Sequence, residues 1–94
     1  MTYVMVIHKV EDFEKWKSMY DEHGEMRKKL GSKGAFLFRN NENLNEMIII
    51  SKWDDMKSAK IFAESEDLKN TMQKAGVISI PEVYYLDKIE RTQY

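Results

Sequence analysis

Met47-Ile48-Ile49-Ile50-Ser51-Lys52-Trp53 is almost unbroken apolar sequence, short, β-branched and closed by a tryptophan. A strand with one wet face alternates apolar and polar residues, whereas this run offers large side chains to both faces and reads as a central strand buried on both. Two other runs behave alike. Tyr3 to Val10 divides into Val4, Val6, His8 and Val10 on one side and Tyr3, Met5, Ile7 and Lys9 on the other, and Val83 to Ile89 is similarly apolar throughout. A fourth, shorter strand is expected over Ala35 to Arg39. It is joined to the central one by Asn40-Asn41-Glu42-Asn43-Leu44-Asn45, polar enough to be a hairpin loop and the segment most expected to be mobile.

The segments between these strands have helical spacing. Asp12 is a side-chain N-cap with Glu14 in the first turn, and Phe13, Trp16, Tyr20, His23, Arg27 and Leu30 follow at steps of three and four, forming one stripe. Gly31 suits the end of that helix, and Gly24 can interrupt or bend it earlier. Asp54 or Asp55 caps a second helical segment with Met56, Ala59, Phe62 and Ala63 on one side, and Ser65-Glu66-Asp67 starts another running through Leu68 and Met72 to Ala75. There Gly76 and Val77 fit the last two positions of a Schellman ending, and Pro81 bars any helix from entering the last strand.

The order is βαββαβ with a divided second helix, the ferredoxin-like α+β pattern, occupying residues 1–94 as a single domain with a four-stranded antiparallel sheet. Right-handed crossovers place both helical layers on one side of the sheet. The other side then exposes more contiguous apolar surface than a soluble monomer carries, so a homodimer packed sheet to sheet is the expected assembly.

Composition narrows the function mostly by exclusion. Fifteen basic and 16 acidic residues give a formal net charge of -1, which argues against nucleic acid or an anionic membrane as partner. No cysteine is present, removing disulfides, thiolate metal sites and cysteine nucleophiles. No segment approaches the roughly 18 uncharged apolar residues of a membrane span, and the expected location is the cytoplasm.

The arrangement over nearly the whole chain resembles the dimeric α+β barrel superfamily, which includes antibiotic-biosynthesis monooxygenases, haem-degrading monooxygenases and stress-responsive barrel proteins. Within it the chain is similar to a poorly characterised group of small proteins through His8, Val10 and Asp12 at the end of the first strand, Trp16 on the first helix, and Ala75-Gly76-Val77 before Pro81. The resemblance implies cofactor-free oxygenation, haem cleavage, decarboxylation-like steps or plain ligand binding, without choosing among them. In the haem-degrading branch an Asn on the first strand, a Trp on the helix after the third strand and a later His form the site. The matching positions here are His8, Phe62 and Met72, so the axial imidazole is replaced by a thioether.

Read as residues, His8, Trp16, Tyr20, His23, Arg27, Trp53, Phe62 and Met72 are the candidates for a pocket between sheet and helices. A histidine on an apolar strand has its pKa lowered by burial, and the neutral imidazole can take a proton from a phenol or acidic carbon, with aromatic walls to hold a flat substrate. The alternative is a core histidine bonded to a carbonyl or carboxylate, among aromatics that only pack. His23 and Arg27, one turn apart, can grip a carboxylate or enolate, or pair on the surface with Glu22 and Glu25. Arg39 is expected to pair with Glu42, Glu46 or a partner subunit. Met5, Met47, Met56 and Met72 make either a pliable core or an adaptable pocket. Two histidines without an inward carboxylate do not make a metal site, and no glycine-rich dinucleotide or phosphate loop occurs, so no metal or cofactor is expected. The reading is thus a dimer that binds a small aromatic or polyketide-like molecule, with His8 as base if it is an enzyme; the alternative is a non-catalytic ligand-binding or protein-interaction dimer in which His8 is structural.

Overall fold

The computed structural model describes residues 1–94. Four strands, β1 (Thr2–Lys9), β2 (Ser32–Asn40), β3 (Asn43–Trp53) and β4 (Glu82–Asp87), form one antiparallel sheet in the order β2-β3-β1-β4. Helices α1 (Phe13–Glu22), α2 (Gly24–Leu30), α3 (Met56–Ala63) and α4 (Glu66–Lys74) supply the crossovers, giving the ferredoxin-like α+β architecture.

Register decides which side chains meet. Val6 opposes Ile49, which on its other side opposes Leu37, and His8 opposes Met47. Directly opposed residues share a face, so His8 lies on the helix side with Val4, Val6, Met47, Ile49, Ser51 and Trp53. Two clusters pack there: Val10, Trp16, Met47, Ile49 and Ala75 at one end, and Val4, Trp53, Ala59 and Phe62 at the other. The opposite face carries a row running Phe36, Ile50, Met5, Tyr84 across all four strands, with Phe38, Ile48 and Ile7 beside it. Phe36 is 68 % exposed and Phe38 52 %. The helices leave this face bare.

The caps are those expected. Asp12 accepts from the amides of Glu14 (3.0 Å) and Lys15 (3.3 Å), Asp55 from Ser58 (2.7 Å) and Ser65 from Leu68 (3.1 Å). At the end of α4 the Val77 amide donates to Met72 O at 3.0 Å and Gly76 to Gln73 O at 3.2 Å, the two bonds of a Schellman turn. Gly76 has φ +85, and a Cβ there would sit 2.9 Å from Glu11 Cγ. Gly76→Ala is therefore expected to cost about 1–2 kcal/mol, from the left-handed backbone before any displacement of Glu11, read as a lower urea midpoint at unchanged slope.

Several expected boundaries move. The first long helix breaks at His23, dividing into α1 and α2 where Gly24 weakens the helix, and Leu30, placed on the common stripe, is 43 % exposed as the last residue of α2. The polar stretch 40–45 contains only a two-residue turn. Asn40 Oδ1 accepts from the Glu42 amide at 2.8 Å, and Asn43, Leu44 and Asn45 already belong to β3, so β2 is longer than Ala35–Arg39. The last strand stops at Asp87, opposite Thr2, the first residue of β1; Ile89 is 96 % exposed.

Candidate functional site

A cavity of about 80 Å³ lies between the sheet and the helices. Its floor is Val6 and His8 of β1 with Ile49 and Ser51 of β3. One wall is the α1–α2 stripe, Trp16, Met19, Tyr20, His23, Met26 and Arg27, and the other is Phe62 from α3 with Leu68, Thr71, Met72 and Ala75 from α4 and its end. No aspartate or glutamate faces it.

Alternation along β1 turns His8 inward between Val6 and Val10, and its side chain is only 3 % exposed. The ring meets Trp16 edge to face at 5.7 Å, and Trp16 leans on Tyr20 at 5.3 Å. His8 Nδ1 is buried with no hydrogen-bond partner. Burial pushes the pKa of this imidazole below its ordinary value of 6.5; the ring's own main-chain carbonyl pulls weakly upward without reaching hydrogen-bond geometry. The ring is consequently neutral at pH 7. The expected partner of a purely structural histidine, a carbonyl or carboxylate bonded to that nitrogen, is missing, and such an orphaned buried group is costly unless something else meets it.

His23 and Arg27 do not pair with Glu22 or Glu25. His23 Nδ1 lies 2.9 Å from Met19 O, and since a carbonyl only accepts, that nitrogen is the donor and Nε2 is the ring's other polar atom. Arg27 lays its guanidinium on Tyr20, Cζ 3.6 Å from the ring centroid. Burial raises the Tyr20 phenol pKa, opposed by the Arg27 charge. Arg39 likewise departs from expectation: its Nε donates to Leu44 O at 3.1 Å and its guanidinium covers Phe13 at 4.2 Å, while Asn40 takes Glu46 at 2.9 Å.

His8, Trp16, Tyr20, His23, Arg27, Phe62 and Met72 are thus brought around one space, and Trp53 is not. Trp53 is fully buried in the neighbouring cluster against Phe62, 5.0 Å between rings, and its Nε1 donates to Ser51 Oγ at 2.9 Å. It braces the floor from beside it, through Ser51. Met19 and Met26 were not singled out from sequence, nor were Leu68 and Thr71. The signal was present in each case, since Met19, Tyr20, His23, Met26 and Arg27, and likewise Leu68, Thr71, Met72 and Ala75, recur at helical spacing. Of the four methionines expected to be apolar fillers, only Met72 reaches the cavity; Met47 is in the core and Met5 points to the bare face. Nowhere do three or more metal-ligating side chains gather.

No protein-family model matches the sequence, and neither does any curated protein. Solved structures do match in shape. A protein of Bordetella bronchiseptica assigned to the antibiotic biosynthesis monooxygenases superposes with a TM-score of 0.78 at 14% identity, covering 95% of this chain and 97% of its own. SnoaB, a cofactor-independent oxygenase of Streptomyces nogalater, gives 0.75 at 13% identity over 99% and 96%. A conserved protein of Methanosarcina mazei gives 0.73 at 16% over 93% and 91%. At these identities the likeness is one of fold, and the chain has the ferredoxin-like α+β fold of the antibiotic-biosynthesis-monooxygenase-like proteins.

Proposed function

We propose that the chain is a homodimeric, cofactor-independent oxygenase of a small, electron-rich phenol or enol, of aromatic or polyketide-like type, with His8 as general base. The observation that carries the reading is the buried, neutral His8, whose Nδ1 has no partner within the protein and whose ring borders an apolar, aromatic-walled cavity. Such an imidazole accepts a proton from an activated C–H or O–H. The resulting enolate or phenolate supplies the electrons that reduce dioxygen, so that a CH₂ becomes C=O, the second oxygen atom leaves as water, and no other reductant is consumed. Trp16, Tyr20 and Phe62 give flat surfaces for the substrate. The cofactor-independent chemistry named for SnoaB supports the same reading.

The cavity constrains the substrate. An apolar cavity of about 150 Å³ accepts a benzene ring, and the space here is about 80 Å³. Ring entry therefore needs Met19, Met26 or Met72 to repack, which their unbranched thioethers allow at low cost.

The bare sheet face supports dimerisation, because its aromatic and branched side chains make a patch larger than monomers normally leave in water. A location in the cytoplasm belongs to the same proposal; no helix is long and apolar enough to cross a membrane. The test is a thermal-shift screen of phenols, anthrone-like ketones and enols, followed by oxygen-electrode assays on the hits. His8→Gln should remain folded and still bind while oxygen consumption falls at least about a hundredfold, the lower range for loss of a general base. Equal turnover by His8→Gln would remove His8 from the chemistry, and binding without turnover in the native protein would leave the ligand-binding dimer.

A further inference from the structure

Tyr20 and Arg27 line two spaces at once. On one side is the apolar cavity; on the other is an open cleft of about 710 Å³ bounded by Gly24, Lys28, Ser32, Lys33 and Gly34. The chain has 16 acidic residues, yet none lines either space. The ion pairs formed are Lys15–Glu11, Lys17–Asp21 and Lys33–Asp54, which leaves Arg27 without a carboxylate. Asp21, the acid whose charge Tyr20 feels, is held by Lys17 at 2.7 Å. A half-buried guanidinium parked on a ring, at the junction of an apolar cavity and a cleft free of acids, is short of an anion.

We propose that the ligand is an amphipathic carboxylic acid, its apolar body in the cavity and its carboxylate in the outer cleft against Arg27. This rests on the reading that the cavity binds a ligand and adds the class of molecule. The planar guanidinium presents paired N–H donors that match a carboxylate. Its stacking on Tyr20 keeps that plane in place, so the head group is fixed at the mouth while the body points toward His8. Lys28 contributes a positive field without fixed geometry, Lys33 being already paired with Asp54.

The test is calorimetry with 4-phenylbutyrate and its neutral isostere 4-phenylbutyramide, on the native protein, Arg27→Met and Thr71→Trp. The acid should bind at least about tenfold tighter than the amide at low salt, and high salt should shrink that ratio. Arg27→Met, which keeps an apolar stem over Tyr20, should bring the ratio to about one while leaving amide affinity within about twofold. Thr71→Trp, which fills the cavity, should weaken both. Equal affinity of acid and amide, an acid preference that survives Arg27→Met, or no binding of the acid at millimolar concentration would each overturn the proposal. If acid and amide bind equally and Thr71→Trp blocks both, the anionic head alone is wrong; if Thr71→Trp blocks neither, the cavity reading itself fails.

Discussion

Ile49→Asp is expected to unfold the protein, and Ile50→Asp to leave it folded but monomeric. Ile49 is 8 % exposed, packed with Val10, Trp16, Met47 and Ala75 and flanked by Val6 and Leu37 on adjacent strands. Removing its aliphatic bulk costs about 2–5 kcal/mol. A carboxyl without a partner adds about 1–3 kcal/mol even in its neutral form. The sum consumes most of the roughly 5–15 kcal/mol that holds a domain together. Circular dichroism should show loss of the cooperative transition; a native spectrum with an unchanged midpoint would mean that the core is not where we place it. Ile50 points the other way, in the row with Phe36, Met5 and Tyr84. Its charge is solvated in a monomer and buried only in a dimer, so light scattering should report halved mass with helix content retained. A native protein that is already monomeric at micromolar concentration removes the dimer from the proposal.

His8→Leu is expected to raise stability and, on the proposed function, to abolish oxygen consumption. Leucine is close to histidine in size, it lies beside a cavity that can absorb differences in shape, and it removes a buried nitrogen that no group satisfies. The gain should be about 1 kcal/mol or more, against the usual destabilisation by a core substitution. The native protein should also show the linked pH dependence. The His8 pKa is lowered on folding, so below 6.5 the unfolded chain binds the proton that the folded chain refuses, and stability falls as pH drops from there toward the lowered folded value; above that window His8 contributes a constant. His8→Leu should flatten this segment of the stability profile. An NMR titration placing His8 at or above 6.5 would contradict the burial argument.

Much of the fold was legible because few signals competed. Short runs apolar on both faces, three side-chain caps and the Gly76 ending each pointed to the same topology. The errors in strand boundaries share a cause: pairing lengths are set by the neighbouring strand. Local composition cannot show that β1 runs out opposite Asp87, or that the asparagines after Arg39 are drawn into a hairpin ladder. The site was legible as a stripe on one helix and a histidine on one strand. Trp53 shares the face of His8, but as the last residue of β3 it packs with Val4, Ala59 and Phe62 beside the cavity and does not line it, a difference of position along the strand that composition does not show. The Arg27 contact escaped because an anion or a surface glutamate was sought for its charge and not the Tyr20 ring on the same stripe.

The helices that roof the cavity run to 10, 7, 8 and 9 residues. Segments shorter than about 12–15 residues do not persist alone in water, so their order is borrowed from the sheet beneath, and the cavity is where that lending surface is thinnest. Short helices laid over a paired sheet are the arrangement in which local opening precedes global unfolding, so amide exchange is expected to be faster in α1, α2 and α4 than in the ladder of β1, β2 and β3. On the proposed function, a ligand passing the Arg27 mouth would enter as these helices open, and by filling the gap it would add the packing that holds them closed.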